Sequence, residues 1–552
     1  MKSKYIFVIG GVMSGVGKGI ATSSLGLILK TKGYKVNLVK ADPYLNVDAG
    51  TMNPTEHGEV FVMKEGLETD QDMGNYERFL HQDISQVNYM TSGMVYKAVI
   101  DKERALGYGG KCVEAIPHVR DEIINRFQKA TKENGSDITI VEIGGTIGDF
   151  QNAMFMEAAK TMKLKNPKDV IVVVVSYLPT PGAIGEMKSK PTQSAIRELN
   201  CYGLHPDFII ARSEVALDTK RKEKISVSCN VPIENVISAP DIKSIYDVPV
   251  NFEKDKIGER VLKSLSLKNK KPNAESVKLW SDWKNFVKNV NSKKTKNLRV
   301  AMIGKYFDTG DFTLTDSYLS VMEALKFAAA KAKSNIEIEW VDSKTIEKNP
   351  TILKELFKRC SGLIVPGGFG TTGVEGILKS IEYVRKNKIP YLGICYGMQL
   401  AVVEYAKHVL HLKGVNTTEI DKNCEHKIID IMESQKDNLM KLAMGGSMRL
   451  GSFKCRLSKG SIVSSLYNAD VVIERHRHRY EVNNAYVDRL ENKGLLFSGK
   501  SLDGKLMEMI ELKKSVHPFF VATQSHPEML SRPIHSHPLF DGLIKAMVSK
   551  RK

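Results

Sequence analysis

The sequence is poor in cysteine and contains no closely paired CxxC motif. Only 7 of its 552 residues are cysteine, and they are scattered along the chain. This pattern excludes a small fold held together by disulfides, and it is typical of a reducing compartment. We therefore expect a cytoplasmic protein in which each thiol either packs in a core or takes part in chemistry.

Long apolar runs and low-complexity tracts are also missing. Because no stretch of about 18 or more apolar residues occurs, we predict neither a transmembrane helix nor a membrane partner. Hydrophobic residues make up 42% of the chain, which excludes a disordered tail and a collagen-like fibre. The length is sufficient for about two to four domains.

Positive charge, in contrast, is in excess. The chain has 81 Lys and Arg against 63 Asp and Glu, a net charge of +18, and much of the excess lies in residues 268–299. Apolar residues recur in this segment at helical spacing, which predicts a linker helix over 268–297 with one docked face and a solvated lysine face. A nucleic-acid surface is the alternative, but it would need base-stacking aromatics outside the docked stripe, so we expect no nucleic-acid partner. The docked stripe consists of Val277, Trp280, Trp283, Val287 and Val290.

Strand-like and helix-like segments alternate on both sides of this linker. Runs such as 171–175, apolar throughout, are typical of strands buried on both faces of a sheet. The pattern predicts an α/β fold class with two doubly wound parallel-sheet domains, a P-loop-like domain over 1–267 and a second domain over 298–552. The predicted strands are 5–10, 35–40, 137–143, 170–178, 208–211, 298–303, 336–341, 362–366, 391–394 and 518–523, and the predicted helices include 18–32 and 316–333.

A glycine-rich turn, GGVMSGVGKG over 10–19, follows the first predicted strand and opens a helix. Backbone N–H groups freed by glycine, together with a helix N-terminus, are suited to binding polyphosphate, and Lys18 would add a mobile charge. The spacing departs from the standard P-loop, and Gly19 stands where Ser or Thr would bind magnesium. An ordinary strand-to-helix turn is the alternative. Because packing does not explain a lysine within such a turn, we predict a nucleotide site.

Without a hydroxyl after Lys18, magnesium would need carboxylates from elsewhere in the chain. Glu142 ends an apolar strand, where open α/β sheets place their ligands and where a charge needs a cation nearby. Asp72 is the second candidate, although its polar turn is also compatible with a solvated position. Lys40 ends another strand and is a candidate phosphate contact.

Two weaker basic features follow in the same half. Residues 188–193 (KSKPTQ) form a basic turn restricted by proline and suited to a phosphate, and Lys224 lies close to a further strand. Each alone is compatible with a solvated surface. They gain weight only if two nucleotides bind the same domain.

A cysteine in the second half has the surroundings of a nucleophile. Cys395 lies between Gly393 and Gly397, after a strand and before a helical stretch, which is the form of a nucleophile elbow. The helix N-terminus there favours thiolate over thiol. His526 and Glu528 follow another strand and supply a base and its orienting group. The glycine-rich segment 365–370 offers backbone N–H groups for an oxyanion hole. Together they predict a Cys–His–Glu acyl-transfer centre.

The two predicted sites resemble those of the CTP synthase family, and the resemblance covers essentially the whole chain. It implies an N-terminal amidoligase domain joined to a class I glutamine amidotransferase domain. ATP would phosphorylate O4 of UTP, glutamine would be hydrolysed at Cys395, and ammonia, channelled between the domains, would displace phosphate from C4 to give CTP. The resemblance also implies Mg²⁺ as cofactor, GTP as activator, CTP as feedback inhibitor, and homotetramers able to form filaments. The matching stretches are 5–12, 42–48, 57–62, 141–149, 188–193, 393–399 and 474–482.

The same resemblance implies roles for individual residues. The residues implied for ATP are Gly15, Val16, Gly17, Lys18, Gly19, Ile20, Lys40, Asp72 and Ile242, and those for magnesium are Asp72 and Glu142. The residues implied for UTP and CTP are Ser14, Asp149, Phe150, Gln151, Lys188, Ser189, Lys190, Pro191, Thr192, Gln193 and Lys224. The residues implied for glutamine are Gly368, Tyr396, Gly397, Met398, Gln399, Glu419 and Arg477.

Several positions depart from the family pattern, among them Phe150 for a common Ile and Ala239 for a common Leu. Gln151 replaces a common Glu, which removes a carboxylate expected near the pyrimidine ribose, and Pro240 replaces a common Lys on the adenine side. Gly15 replaces a common Ser, and Tyr396 replaces a common Leu. Two other hypotheses remain at this point: a different amidoligase acting, for instance, on a corrin carboxylate, and a catalytically silent filament or scaffold.

Overall fold

The computed structural model describes residues 3–11, 13–182, 185–268, 270–292, 296–305, 308–309, 312–313, 315–432, 435 and 445–550. Lys293 and Lys294 of the basic linker lie outside these residues. Over the described residues the chain forms two compact units, one containing 1–48 and 75–291, the other containing 49–74 and 292–552. Among the helices that can be described, none is both long and apolar enough to cross a membrane.

The strands are numbered in chain order. They are β1 (Lys4–Gly10), β2 (Val36–Asp42), β3 (Phe61–Val62), β4 (Glu68–Thr69), β5 (Tyr89–Thr91), β6 (Ile138–Ile143), β7 (Val170–Tyr177), β8 (Phe208–Ser213), β9 (Val236–Pro240), β10 (Asn297–Gly304), β11 (Asp308–Thr309), β12 (Phe312–Thr313), β13 (Asn335–Asp342), β14 (Gly362–Val365), β15 (Tyr391–Ile394), β16 (Val415–Thr417), β17 (His426–Ile431), β18 (Arg449–Leu457), β19 (Val471–His478), β20 (Tyr480–Val482), β21 (Leu495–Ser501), β22 (Met507–Leu512) and β23 (Phe520–Thr523).

The α-helices are numbered in the same way. They are α1 (Lys18–Thr31), α2 (Pro54–His57), α3 (Asp72–Leu80), α4 (Ser92–Arg104), α5 (Arg120–Glu133), α6 (Ala153–Lys165), α7 (Lys190–Cys201), α8 (Thr219–Cys229), α9 (Val248–Phe252), α10 (Ile257–Ser264), α11 (Ala274–Asn291), α12 (Leu319–Lys331), α13 (Ser343–Lys348), α14 (Ile352–Arg359), α15 (Val374–Lys386), α16 (Tyr396–His408), α17 (Ile462–Tyr467), α18 (Val487–Glu491) and α19 (Pro538–Lys550).

The first unit contains a seven-stranded sheet with the order β5-β2-β6-β1-β7-β8-β9. Every neighbouring pair in it is parallel. Strand β7 is buried except at its last residue, as the apolar run 171–175 predicts. Because the strands are parallel, the loops that follow β1, β2, β6, β7 and β8 all leave from the same edge, which is where ligands bind in such sheets.

The basic linker region forms helix α11, which is part of the first unit. Its docked face contains Trp283, fully buried, whose Nε1 donates to the Tyr246 carbonyl oxygen at 3.0 Å. One member of the predicted stripe is wrong, because Val277 is 57% exposed. Its neighbour Ser276 is the residue turned inward, with its hydroxyl donating to the Lys30 carbonyl oxygen at 3.2 Å.

The second unit contains a nine-stranded sheet with the order β13-β10-β14-β15-β23-β22-β21-β18-β19. The first five strands are parallel to one another, and the last four are paired antiparallel. The predicted α/β class is therefore confirmed, but this sheet is mixed rather than wholly parallel. Strand β18 alternates between buried and partly exposed residues, the pattern of a strand with one solvated face, and so lacked the continuous apolar run that marked the other strands.

Residues 49–74 group with the second unit, although the predicted domain 1–267 includes them. Their hairpin of β3 and β4 packs on β18 and β19: the Ser452 N–H donates to the Lys64 carbonyl oxygen at 2.9 Å, and Arg475 Nη1 donates to the Val62 carbonyl oxygen at 3.1 Å. Just before the hairpin, both carboxylate oxygens of Glu59 lie 3.1 Å from the Ser320 N–H and so cap helix α12. The two units are thus not separated by a single position in the sequence.

Candidate active sites

The thiol of the second unit lies at a strained turn between β15 and α16. Cys395 has φ 50° and ψ −97°, a conformation that residues other than glycine rarely adopt. A Cβ on Gly397 would lie 2.3 Å from the Val365 carbonyl oxygen, and a Cβ on Gly393 would lie 2.9 Å from the Cβ of Ala522. Glycine is therefore required on both sides of the nucleophile by close packing, in agreement with the elbow that the spacing predicts.

The predicted base and its orienting group lie shortly after the end of β23, the strand that pairs with β15. His526 Nδ1 is 2.7 Å from Glu528 Oε1, while His526 Nε2 is buried and has no hydrogen-bond partner among the described residues. Burial alone lowers the pKa of His526, but the charges of Glu528 and Cys395 outweigh it and raise the pKa to about 10. The site therefore favours the imidazolium form of His526.

Cys395, His526 and Glu528 line one cavity of about 480 Å³ in the second unit. Gly367 and Gly368 of the predicted oxyanion segment line it as well. A Cβ on Gly367 would lie 2.8 Å from His526 Cε1, so glycine lets this backbone approach the imidazole closely. The cavity brings together a nucleophile, a base and backbone N–H groups, which are the parts that acyl transfer from an amide requires.

The residues predicted to hold glutamine fall into two groups. Gly368, Gln399, Glu419 and Arg477 line the cavity. The other three lie behind it: Met398 is fully buried in the core, Gly397 packs against β14, and the Tyr396 hydroxyl donates to the Gly370 carbonyl oxygen at 2.8 Å.

Two of the lining residues have partners that the sequence did not predict. Arg477 Nε donates to Glu68 Oε1 at 2.7 Å, so the hairpin of residues 49–74 supplies a counter-charge for its guanidinium. The Arg477 carbonyl oxygen lies 3.8 Å from Cys395 Sγ. Glu419 Oε1 accepts from the Gly370 N–H at 2.8 Å, and burial raises the pKa of this carboxyl although the Gly370 N–H opposes the shift.

Lys305 is a site residue that the sequence analysis missed. Its Nζ lies 2.5 Å from the Gly370 carbonyl oxygen and 2.8 Å from the Tyr396 hydroxyl, and 4.3 Å from the centre of the Tyr396 ring. Burial lowers the pKa of Lys305 to about 8, although Glu419 opposes the shift. The position of Lys305 could have indicated a site residue, because it immediately follows β10 at the carboxyl edge of the parallel strands.

In the first unit, the glycine-rich turn lies between β1 and α1 as predicted. Gly15 and Gly17 have positive φ, 71° and 84°, and Ser14 and Gly15 are exposed. Lys18 Nζ donates to the Gly145 carbonyl oxygen at 2.5 Å, and a Cβ on Gly10 would lie 2.8 Å from the same nitrogen. The lysine is thus folded back over the turn, beside the loop that follows β6. Gly19 and Val16 are buried, and Ile20 is half-buried.

The predicted carboxylate Glu142 is almost fully buried, with 1% of its surface exposed. Lys40 Nζ lies 3.0 Å from its Oε1, and the Tyr76 hydroxyl donates to its Oε2. The cation that a charge in this apolar strand needs is therefore Lys40. Asp72, the second predicted ligand, belongs to the other compact unit. Among the described residues, no group of three or more His, Cys, Asp or Glu is arranged to hold a metal ion.

The predicted pyrimidine residues lie on two segments at the same sheet edge. Asp149 Oδ2 accepts from the Thr146 N–H at 2.6 Å in the loop after β6, and Phe150 and Gln151 follow it at the surface, with Phe150 91% exposed. The sequence predicts a turn between elements at 188–193, but residues 190–193 form the first helical turn of α7. Ser189 immediately precedes this helix. Pro191 lies in this first turn, where its missing N–H is tolerated.

Two contacts connect α7 with other predicted residues. The Thr192 hydroxyl is 2.8 Å from that of Ser176, and a Cβ on Gly11 would lie 2.8 Å from the same Ser176 hydroxyl. Gln193 Nε2 donates to the Ser189 hydroxyl at 3.0 Å. The helix start therefore lies beside the glycine-rich turn.

Lys188 and Lys224 both favour the ionised form of one exposed carboxylate, that of Glu186. Lys188 Nζ is 2.6 Å from Glu186 Oε2, and this contact, with weaker contributions from Lys224 and Arg221, lowers the pKa of Glu186. The structure thus groups the two predicted lysines near each other, on the segment before α7 and on α8.

A second residue missed from the sequence is Arg212, at the end of β8. Its Nη1 donates to the Val16 carbonyl oxygen at 3.4 Å, and its Nη2 lies 2.6 Å from Asp241 Oδ1. Ile242, the predicted adenine-side residue, follows Asp241 and is 36% exposed. Arg212 therefore connects the glycine-rich turn with the segment after β9. A basic residue ending a buried parallel strand was the signal that could have found it.

Comparison with known proteins identifies both halves of the chain. A family model described as "CTP synthase N-terminus" matches residues 4–267, and one described as "Glutamine amidotransferase class-I" matches residues 313–546. The chain thus combines an N-terminal synthase domain with a class I glutamine amidotransferase domain.

Similar proteins match along the whole length. The chain is 46% identical to a CTP synthase of Caldanaerobacter subterraneus subsp. tengcongensis, covering 99% of this chain and 98% of that protein. It is 44% identical to a CTP synthase of Methanocaldococcus jannaschii, covering 99% of each chain. A solved glutaminase domain of Trypanosoma brucei CTPS with bound acivicin is 32% identical, covers 46% of this chain and 94% of that one, and has a TM-score of 0.42. The chain therefore belongs to the CTP synthase family.

These findings confirm the predicted family, the α/β class and the enzyme class, a CTP synthase with glutamine amidotransferase activity. Family membership also places the protein in CTP biosynthesis and among enzymes that use ATP. The corrin-type amidoligase is not supported, because the matched N-terminal model is that of CTP synthase.

Proposed function

We propose that this chain makes CTP from UTP through two reaction centres. ATP phosphorylates O4 of UTP in the first unit, and ammonia released from glutamine in the second unit displaces the phosphate from C4. The observation that carries the proposal is the centre formed by Cys395, His526 and Glu528: a strained nucleophile, an imidazole with an open Nε2 and its orienting carboxylate line one cavity.

In the glutaminase step, the Cys395 thiolate attacks the side-chain carbonyl carbon of glutamine. Backbone N–H groups of the segment 365–370 stabilise the oxyanion, and protonated His526 gives its proton to the departing ammonia. A thioester remains on Cys395, and water attacks it with His526 now acting as base, which releases glutamate and regenerates the thiolate. Glu528 keeps Nε2 directed at the reacting atoms by holding Nδ1.

In the phosphorylation step, the γ-phosphoryl group of ATP is transferred to O4 of UTP and ADP leaves. Such a transfer depends mainly on charge neutralisation and alignment of the reacting oxygens. The glycine-rich turn, Lys18 and Lys40 are supported for this role by the exposed positive-φ backbone and by the position of both lysines at one sheet edge. We infer that Arg212, in contact with the turn, adds a further charge.

Magnesium fits this site in its donor chemistry. Mg²⁺ in nucleotide enzymes usually has one or two carboxylates, substrate phosphates and several waters as ligands. The buried Glu142 is a carboxylate of that kind and would hold the ion, which would neutralise phosphate charge. Asp72 remains the second ligand that family membership implies. The lack of a larger ligand cluster among the described residues agrees with a metal that depends on the nucleotide for the rest of its ligands.

The pyrimidine nucleotide is proposed to bind at Ser14, the 149–151 segment, the start of α7 and Lys224. The start of α7 and the Lys188 and Lys224 pair offer a helix N-terminus and two cations for a triphosphate. Because Gln151 lacks the carboxylate common in the family, we expect CTP feedback inhibition to differ from that of relatives.

Three further features are proposed from family membership. GTP activates glutamine hydrolysis, and ammonia passes from one centre to the other inside the protein, because in water it would be protonated and lose its nucleophilicity. The enzyme acts in the cytoplasm as a homotetramer that is able to form filaments. Incubation with amide-¹⁵N glutamine and unlabelled ammonium tests the transfer: mostly labelled CTP supports it, and label diluted to the solution ratio contradicts it.

The decisive experiment mixes the purified protein with UTP, ATP, Mg²⁺ and either glutamine or an ammonium salt, and measures CTP. We expect Cys395→Ala to lose glutamine-dependent synthesis while keeping ammonium-dependent synthesis, because only the nitrogen source is removed. Cys455→Ala, at another buried thiol, is the matched control. If a folded Cys395→Ala protein loses both activities, or keeps both, the proposed division of the reaction is wrong.

A further inference from the structure

We propose that Gln524 is a catalytic residue of the glutaminase centre that donates a hydrogen bond to Cys395 Sγ and holds the sulfur as thiolate. The proposal rests on the proposed glutaminase role of Cys395. Gln524 Nε2 lies 3.5 Å from Cys395 Sγ, and the residue is almost fully buried, with 1% of its surface exposed. The triad assigned above does not include it.

The sheet places the two residues side by side. Strands β15 and β23 are parallel neighbours in which Ile394 pairs with Thr523, and the Cys395 N–H donates to the Thr523 carbonyl oxygen at 2.7 Å. Gln524 is the next residue after β23, and its own N–H donates to the Glu508 carbonyl oxygen on β22 at 2.8 Å. Its backbone is therefore fixed by the sheet on the side away from the thiol strand.

The orientation of the Gln524 amide follows from its neighbours. Gln399 Nε2 donates to the Tyr480 carbonyl oxygen at 3.0 Å, and a carbonyl can only accept, so this end of the Gln399 side chain must be the NH₂ group. The same Nε2 lies 3.3 Å from Gln524 Oε1. The end of Gln524 facing Gln399 must therefore be the oxygen, which leaves its NH₂ group toward the sulfur.

This network gives Gln399 a second role beside the predicted contact with glutamine, which stays a prediction. Its amide bonds are directed at Tyr480 and Gln524, so it is a positioning residue that fixes the Gln524 amide. Both glutamines are buried, and the Gln524 amide is held in one orientation because its reversal would turn its NH₂ group toward the NH₂ group of Gln399, leaving two donors facing each other.

The need for a donor follows from the other contact of the sulfur. The Arg477 carbonyl oxygen lies 3.8 Å from Cys395 Sγ, and it can only accept a hydrogen bond. That contact suits a thiol and disfavours a thiolate. The Gln524 N–H has the opposite preference, because a hydrogen bond to an ionised acceptor is stronger than one to a neutral acceptor. Gln524 therefore favours the form of Cys395 that attacks the substrate, without adding a charge to the cavity.

The test is the pH dependence of Cys395 alkylation by iodoacetamide in the full chain, followed on the Cys395 peptide by mass spectrometry. Gln524→Met removes the donor at similar length, and Gln524→Glu leaves only acceptors. We expect the pH midpoint of alkylation to rise by about one unit in Gln524→Met, a roughly tenfold smaller thiolate fraction at pH 6, and by more in Gln524→Glu. Gln399→Met should give a smaller rise, because the amide is then free to turn.

The matched control is Ser525→Ala, the next residue, whose hydroxyl bonds Thr523 rather than the sulfur. Its alkylation midpoint should equal that of the unmodified protein. Ammonium-dependent CTP synthesis reports whether each variant is folded. A folded Gln524→Met protein with an unchanged midpoint would overturn the inference, and if that variant does not fold, an unchanged midpoint in Gln399→Met overturns it. Neither result affects the proposed function, which is tested separately by Cys395→Ala and is contradicted if that folded variant loses both activities or keeps both.

Discussion

The thiol centre of the second unit and the glycine-rich turn of the first unit are built in different ways. At the thiol centre the reacting groups are buried side chains that already contact one another: Cys395 is 6% exposed and His526 is bonded to Glu528. At the turn, the groups proposed to contact the nucleotide are backbone N–H groups beside exposed residues, with one lysine folded across them.

The difference follows from where the charge comes from in each reaction. Glutamine is neutral at the bond that breaks, so the protein must create the charged nucleophile itself and needs a buried network of hydrogen-bonding and charged side chains to do so. Nucleotides bring several negative charges with them. The first site therefore needs only cations and N–H groups at a sheet edge, and much of its order comes from the ligand.

The largest effect that would test this comparison is expected from Lys18→Met. Losing the only lysine of the turn should lower CTP synthesis by about a hundredfold to a thousandfold with either nitrogen source. The rate of Cys395 alkylation should not change, because the thiol centre has its own charges. Lys129→Met, at an exposed helical lysine of the same unit, is the control. A variant that keeps ammonium-dependent synthesis would show that the turn does not act on the phosphates.

A somewhat smaller effect is expected from Glu528→Gln. The amide keeps the shape but removes the charge that raises the pKa of His526, so the imidazolium becomes less stable. Glutamine-dependent synthesis should fall by about a hundredfold while ammonium-dependent synthesis is unchanged, and initial rates with the two nitrogen sources measure this. Equal losses with both sources would mean that the thiol centre is not independent of the synthase chemistry.

Glu68→Gln should have a moderate effect on the thiol centre, although Glu68 is far from Cys395 in the sequence. Without its carboxylate, Arg477 loses the counter-charge 2.7 Å away, so the KM for glutamine should rise by about tenfold and the unfolding free energy should fall by about 1–3 kcal/mol. Kinetics and thermal unfolding are the measurements. Glu65→Gln, exposed in the same hairpin, is the control, and an equal change in both variants would contradict the role of the ion pair.

The smallest effect on CTP synthesis is expected at Lys305, where the prediction concerns the pH dependence of stability. Burial lowers the pKa of Lys305 to about 8 from the ordinary lysine value of 10.5, so between these pH values the unfolded chain binds more protons than the native one. The stability of the unmodified protein relative to Lys305→Met should therefore increase as the pH rises from 8 to 10.5. Urea unfolding at several pH values measures the difference in unfolding free energy between the two proteins. The contributions of other titrating groups are common to both and cancel in this difference. A difference that is constant with pH would contradict the burial of this charge.

Features with a local signal were predictable from the sequence. The run 171–175 predicted β7, the glycines around Cys395 predicted its elbow, and the spacing of His526 and Glu528 placed base and carboxylate on one turn. In each case the residues that determine the geometry are neighbours in sequence, so their pattern survives without knowledge of the fold.

Features that depend on long-range contacts were not predictable. Glu68 and Arg477 are 409 positions apart, and Lys305 and Tyr396 are 91 apart, so no local pattern connects either pair. The orientation of Gln524 depends on a carbonyl of β20 that only the folded sheet brings near. The antiparallel strands β18 to β22 were missed because their alternation is weaker than the apolar runs of the parallel strands.

The path of residues 49–74 limits how the gene for this enzyme can be divided. A cut in the linker would leave Glu59 and Glu68 on one product and their partners, Ser320 and Arg477, on the other. A glutaminase domain produced in this way would lack the carboxylate that caps α12. The Arg477 guanidinium would also lack its counter-charge. Splitting this protein into independent subunits therefore requires copying the hairpin onto the second product, and not only breaking the chain between the halves.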